Sequence, residues 1–182
     1  MARIKRLERI VALTKELNDH PFQLFPFSYF CEKFAVAKST LSEDVQTVRN
    51  GLSTYDLGII ETVAGASGGV RFIPYHSPEA DNEFLWTLAK RLNDPARLLP
   101  GGMIYMNDLL FDPQISFRLG EIIMQRTLEL QPDYIMTVEA KGISLALATA
   151  RAFNIPMVMA RKEARITEGP AVSISYVSGS SK

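Results

Sequence analysis

Lys38-Ser39-Thr40-Leu41-Ser42-Glu43-Asp44-Val45-Gln46-Thr47-Val48-Arg49-Asn50-Gly51-Leu52-Ser53-Thr54-Tyr55 carries the clearest amphipathic pattern of the 182-residue chain. Its apolar residues Leu41, Val45, Val48, Leu52 and Tyr55 recur at spacings of four and three, so the segment predicts a helix over 38–55 with one buried stripe. The opposite face holds Lys38, Ser39, Ser42, Glu43, Gln46, Thr47, Arg49 and Asn50. Short hydroxyls and free backbone amides near a helix N-terminus suit phosphate oxygens, and Gln46 and Lys38 have the reach for base edges. Glu43 fits such a face only as an acceptor from cytosine or as a cap. Taken alone, the pattern fits an ordinary solvent face equally well.

Upstream, Leu7, Ile10, Val11 and Leu17 predict a helix over 3–17, closed by Asn18, Asp19, His20 and Pro21. Ser28 caps a second helix to Phe34, with Phe30 and Phe34 on one face, and 35–37 form a tight turn. Downstream, 58–63 and 70–74 are β-prone runs separated by Ala64-Gly65-Ala66-Ser67-Gly68-Gly69, which predicts a hairpin carrying Arg71. The glycine-rich loop lacks the Lys-Ser/Thr ending of a phosphate loop and joins two strands. Three helices followed by a hairpin is the order of a winged helix. The cluster Arg3, Lys5, Arg6 and Arg9 adds a basic end, which by itself fits a solvated first helical turn as well as an anion-binding patch.

Beyond this unit, 75–81 read as a linker. Ser77-Pro78 opens a helix to Leu92, with Phe84, Leu85, Leu88 and Leu92 as the stripe of a dimer or interdomain packing element. After the breaks at 93–95 and 99–102 the chain alternates: a strand at 103–106, a helix from Asp112-Pro113 to Leu130 with Ile115, Leu119, Ile122 and Ile123 inward, a strand at 134–138, a helix at 143–153 and a strand at 157–161. This βαβ order implies a parallel sheet, and such sheets hold ligands beyond the carboxyl ends of their strands. The turn Thr137-Val138-Glu139-Ala140-Lys141-Gly142 lies at such an end, with Arg161 and Lys162 closing the next strand. It suits a pyrophosphate, although a plain strand-to-helix turn reads the same.

Twenty basic and twenty acidic residues cancel, and 47% of the chain is hydrophobic. Disorder as the main state is excluded. No run approaches the roughly 20 apolar residues of a membrane span, and no apolar segment follows the basic N-terminus as in a signal peptide, so the expected location is the cytoplasm with no membrane partner. A lone Cys31 forms no internal disulfide, and His20 and His76 make a zinc site unexpected. Cys31 and Trp86 read as packing residues, His20 as a helix-end residue and His76 as a linker residue.

Five blocks in order carry a resemblance over essentially the whole chain: 37–44 (Ala-Lys-Ser-Thr-Leu-Ser-Glu-Asp), 62–70 (Thr-Val-Ala-Gly-Ala-Ser-Gly-Gly-Val), 99–102 (Leu-Pro-Gly-Gly), 136–142 (Met-Thr-Val-Glu-Ala-Lys-Gly) and 172–181 (Val-Ser-Ile-Ser-Tyr-Val-Ser-Gly-Ser-Ser). The chain resembles the bacterial pur-operon regulators. The resemblance implies a winged-helix (α+β) DNA-binding domain over 1–74, a linker and packing helix over 75–98, and part of an α/β phosphoribosyltransferase-like effector domain with a parallel sheet over 99–182. It further implies a non-enzymatic homodimer, expected to be a repressor, that binds double-stranded DNA of purine-gene control regions, with phosphoribosyl pyrophosphate, accompanied by magnesium in the full-length family, as small-molecule effector. On this sequence Arg3, Lys5, Arg6, Lys38, Ser39, Thr40, Ser42, Gln46, Arg49 and Arg71 would contact DNA, and Gly65 to Gly69 would be the wing tip. Glu139, Ala140, Lys141, Gly142, Arg161 and Lys162 would meet the pyrophosphate, and 164–181 would match the mobile loop covering it. The family's acidic ribose-phosphate motif would lie past Lys182, which predicts impaired effector binding and an unpaired sheet edge beside 157–161. The alternatives are a purine phosphoribosyltransferase with an added N-terminal domain and a scaffold that does not bind DNA.

Overall fold

A computed structural model describes residues 4–65, 67–162 and 172–174. The N-terminal half opens with α1 (Arg6–Asp19), α2 (Phe27–Phe34) and α3 (Lys38–Thr54), followed by the antiparallel strands β1 (Ile59–Val63) and β2 (Gly69–Ile73). Ile59 stands opposite Ile73, Glu61 opposite Arg71 and Val63 opposite Gly69. Phe25, between α1 and α2, adds an isolated antiparallel bridge to β2 that sequence patterning does not reveal. It exchanges backbone hydrogen bonds of 2.9 and 2.8 Å with Val70. Gly69 makes this possible, because a Cβ there would stand 2.1 Å from the Phe25 carbonyl oxygen.

One core joins these elements: Leu13 and Leu17 of α1, Phe30 and Phe34 of α2, Leu41, Val45 and Val48 of α3, and Ile60, Val70 and Phe72 of the hairpin. Half-buried Cys31 packs against it, as expected. The expected α1 stripe is corrected. Leu7 and Val11 are 77% and 68% exposed, and the buried line is Arg9, Leu13 and Leu17, spaced by four. Arg9 can lie inside because its Nε donates to Asp44 Oδ2 at 2.6 Å, and Asp44 is itself buried on the core side of α3. Tyr55 follows the last turn of α3 and faces solvent instead of completing its stripe. Helix α2 starts at Phe27 after Pro26, and Ser28 does not cap it.

Ser77 Oγ accepts from the Ala80 amide to start α4 (Pro78–Leu92), as its sequence predicts. Phe84, Leu85, Leu88 and Leu92 are only half-buried, and Trp86 is exposed rather than packed. The strand expected at 103–106 belongs to no parallel sheet. Its residues Met103–Ile104 (β4) pair antiparallel with Leu98–Leu99 (β3) across the Pro100-Gly101-Gly102 turn, where both glycines adopt positive φ. A short helix, α5 (Asn107–Leu110), precedes α6 (Pro113–Arg126), which Asp112 caps.

The βαβ reading of the C-terminal part holds. Strand β5 (Ile135–Val138), α7 (Ile143–Phe153) and β6 (Met157–Ala160) form a parallel pair with its crossover helix. Helix α7 packs on α6 at Gly120, where a Cβ would lie 2.6 Å from the Ala148 carbonyl carbon. On the two strands, Met136, Val138 and Val158 remain exposed. Among the described residues β6 pairs with β5 alone.

A seam joins the two halves. Phe22 packs against Phe153 at 5.7 Å between ring centres. The polar line Arg118, Glu121 and Gln125 of α6 holds the linker: Gln125 bonds both backbone groups of His76, Glu121 Oε2 stands 3.1 Å from His76 Nε2, and Arg118 pairs with Asp81 at 3.0 Å. Burial raises the carboxyl pKa of both Asp81 and Glu121.

Candidate nucleic-acid interface

The expected contact residues divide once their surroundings are known. Lys38, Ser39, Ser42 and Gln46 are exposed on one side of α3, with Lys38 and Ser39 in its first turn, where free amides and the helix dipole favour an anion. The Lys38 ammonium lies 5.8 Å from the Phe27 ring centre. Thr40 is half-buried.

Arg6 crosses from α1 to α3. Its guanidinium donates to Thr47 Oγ1 at 3.2 Å and stands 3.5 Å from Asp44 Oδ1, yet the side chain stays 59% exposed. Lys5 precedes α1 and is exposed, and its backbone amide donates to Glu8. Arg3 lies outside the described residues.

Two arginines are placed differently from the sequence expectation. Arg49 turns away from the open face of α3 and is half-buried against β1. Its Nε donates to the Ile60 carbonyl at 3.1 Å, one Nη to Thr62 Oγ1 at 2.5 Å and the other to Gln46 Oε1 at 2.8 Å. Arg71 is half-buried, pairs with Glu61 directly across the hairpin and lies over the Phe22 ring. Both cations are committed to holding the hairpin: Arg49 to α3, and Arg71 to its partner strand and to Phe22. At the hairpin tip Gly65 adopts φ +114° and its carbonyl accepts from the Gly68 amide. Ala66 lies outside the described residues.

At the carboxyl ends of the parallel strands, Glu139, Ala140, Lys141 and Gly142 form the β5–α7 turn, and Arg161 leaves β6 beside them. Arg161 Nε is 3.8 Å from Glu139 Oε2, so these two of the six expected effector residues meet. Lys141 and Lys162 are exposed. Gly142 lies close to Thr137, whose Oγ1 would have to turn aside for a Cβ at that position, 2.5 Å away. The expected covering loop at 164–181 lies outside the described residues except for 172–174. Among the described residues no group of three acidic, histidine or cysteine side chains could hold a metal ion, and no helix is long and apolar enough to cross a membrane.

The sequence reading missed the buried Arg9–Asp44 pair and the seam residues Arg118, Glu121 and Gln125. The pair had a signal: an acid on the apolar stripe of α3 and a base four residues before Leu13 of α1. The seam had none.

Residues 5–74 match the family model described as "Bacterial purine repressor, N-terminal". Over these residues the chain is similar to the N-terminal domain of bacterial purine repressors. Its similarity extends well past that domain. The purine biosynthesis transcriptional repressor PurR of Bacillus subtilis is 41% identical over 179 residues, which is 98% of this chain and 63% of that protein. The purine biosynthesis transcriptional activator PurR of Lactococcus lactis subsp. lactis is 37% identical over 178 residues, 98% of this chain and 66% of that protein. The chain therefore spans just under two thirds of the length of these relatives. A xanthine phosphoribosyltransferase of Deinococcus deserti is 35% identical over 85 residues, 44% of each chain.

Proposed function

We propose that the chain is the DNA-binding portion, with part of the effector region, of a transcriptional regulator of purine biosynthesis genes. The observation that carries this reading is the open face of α3, with Lys38, Ser39, Ser42 and Gln46 exposed around a helix N-terminus, inside a segment matched to the purine repressor N-terminal family. In this reading residues 1–74 are a winged helix: α3 enters the major groove, the β1–β2 hairpin lies along the backbone as the wing, and Lys5 and Arg6 add phosphate contacts. The protein acts as a homodimer on double-stranded DNA of purine-gene control regions. Repression is the expected sense, though the named relatives include an activator as well as a repressor.

The effector is phosphoribosyl pyrophosphate, held by backbone amides of 139–142, by the dipole of α7 and by the cations Lys141, Arg161 and Lys162. The βαβ geometry of that region and its similarity to xanthine phosphoribosyltransferases support this assignment. Effector binding shifts the dimer by favouring one of two states. The same similarity supports a second reading, a purine phosphoribosyltransferase with an added N-terminal domain. Product formed from phosphoribosyl pyrophosphate and a purine base would replace the regulator reading with it.

The binding of a labelled duplex from a purine-gene control region, measured by fluorescence anisotropy across salt concentrations, tests the DNA reading. Affinity falls steeply from low to physiological salt. Lys38→Ala weakens binding at every salt concentration and reduces the slope of log affinity against log salt by about 1. An affinity that does not respond to salt, or a Lys38→Ala slope equal to that of the native chain, contradicts it.

A further inference from the structure

Gln46 sits in the middle of the open face of α3, and its amide is held from both sides. Arg49 Nη1 donates to its Oε1 at 2.8 Å, while its Nε2 donates to Asn50 Oδ1 at 2.8 Å. A guanidinium has hydrogens only, so the atom facing Arg49 must be the amide oxygen, and the nitrogen must face Asn50. Arg49 is fixed in turn by the Ile60 carbonyl and Thr62 Oγ1 of β1. A continuous chain of hydrogen bonds thus runs from the hairpin through Arg49 and Gln46 to Asn50. It leaves the Gln46 amide one unused lone pair and one unused hydrogen.

We infer that Gln46 is an adenine-reading residue and that Arg49 is its positioning residue, not a DNA contact. The inference rests on α3 entering the major groove as proposed above. One acceptor and one donor on the same amide match adenine, which offers the N7 acceptor beside the N6 amino donor. Guanine offers two acceptors, cytosine a donor alone, and thymine an acceptor with a methyl group. An unheld glutamine could present its amide either way round to either kind of group. Here Arg49 fixes which end is oxygen, and the ordering of the long side chain is completed before DNA arrives. Because the anchor of Arg49 is β1, the placement of the hairpin sets the orientation of the reading side chain.

The test selects binding sites from a randomised duplex library with the full chain, its Gln46→Ala and Arg49→Lys variants, and thermal unfolding of each as a check on folding. The native chain selects sites with a required adenine. Gln46→Ala loses the preference at that one position, and Arg49→Lys loses it at the same position although the charge is kept. Replacing that adenine with 7-deazaadenine, which lacks the N7 acceptor, weakens the native chain about tenfold and leaves Gln46→Ala unaffected. The inference is overturned if Gln46→Ala selects the native sites, or if Arg49→Lys changes a different base position, which would make Arg49 itself a reader. If the native chain enriches no duplex at all, the DNA-binding reading fails and takes the inference with it.

Discussion

Asp44→Ala lowers the unfolding free energy by about 3–5 kcal/mol, the range for removing one member of a buried charge pair. The Asp44 side chain is 2% exposed and that of Arg9 is 9% exposed, with 2.6 Å between their charged atoms. Once the carboxylate is gone, the Arg9 guanidinium keeps one long hydrogen bond, 3.4 Å to the Ile4 carbonyl, and otherwise stays buried with its charge uncompensated by Asp44. Arg6 loses its contact with Asp44 as well and is left with Thr47 as its hydrogen-bond partner on α3. Urea unfolding followed by circular dichroism measures the loss. The double variant Arg9→Met, Asp44→Leu loses less than Asp44→Ala, because no charge is then left unpaired in the core. A loss below about 1 kcal/mol for Asp44→Ala would mean that this pair does not fix α1 against α3.

The second large effect is at Gly120. Alanine favours a helix over glycine by about 1 kcal/mol, so in an exposed helix Gly120→Ala would stabilise. In α6 the new methyl would stand 2.6 and 2.7 Å from the backbone of Ala148 and Thr149 in α7, atoms that cannot rotate aside. The helices must separate, and the expected net change is a loss of about 1–3 kcal/mol. The damage spreads to the cluster of Met124, Ala152 and Phe153, against which Phe22 of the N-terminal half packs. Thermal unfolding decides the sign, and a rise in midpoint would show that the two helices can part without cost.

Much of this architecture is legible in the residues. The spacing of Leu41, Val45 and Val48 places α3, and the alternation from Asp112 onward places α6, β5, α7 and β6, because each element buries a stripe or run of the period its backbone imposes. Periodicity fails where a charged residue occupies the buried position. Leu7 and Val11 look like the inner face of α1 until Asp44 supplies the partner that lets Arg9 take their place. It fails again where side chains reach across elements. Arg49 belongs to the open face of α3 by spacing, but the unsatisfied Ile60 carbonyl and the Thr62 hydroxyl draw it to the hairpin. Short pairings such as Leu98–Leu99 with Met103–Ile104 bury little and leave no periodic trace. The Phe25–Val70 bridge depends on a glycine forty-four positions along the chain from Phe25.

The claim on which everything functional rests is that α3 meets DNA. Backbone amide shifts of the uniformly labelled chain, followed by nuclear magnetic resonance as a duplex from a purine-gene control region is added, test it most directly. The largest shifts are expected on Lys38, Ser39, Ser42 and Gln46, with further shifts at the hairpin tip near Gly65 and Gly68 and little change on the outer face of α1 at Leu7 and Val11. Shifts confined to α6 and α7, or spread without preference for α3, would contradict it.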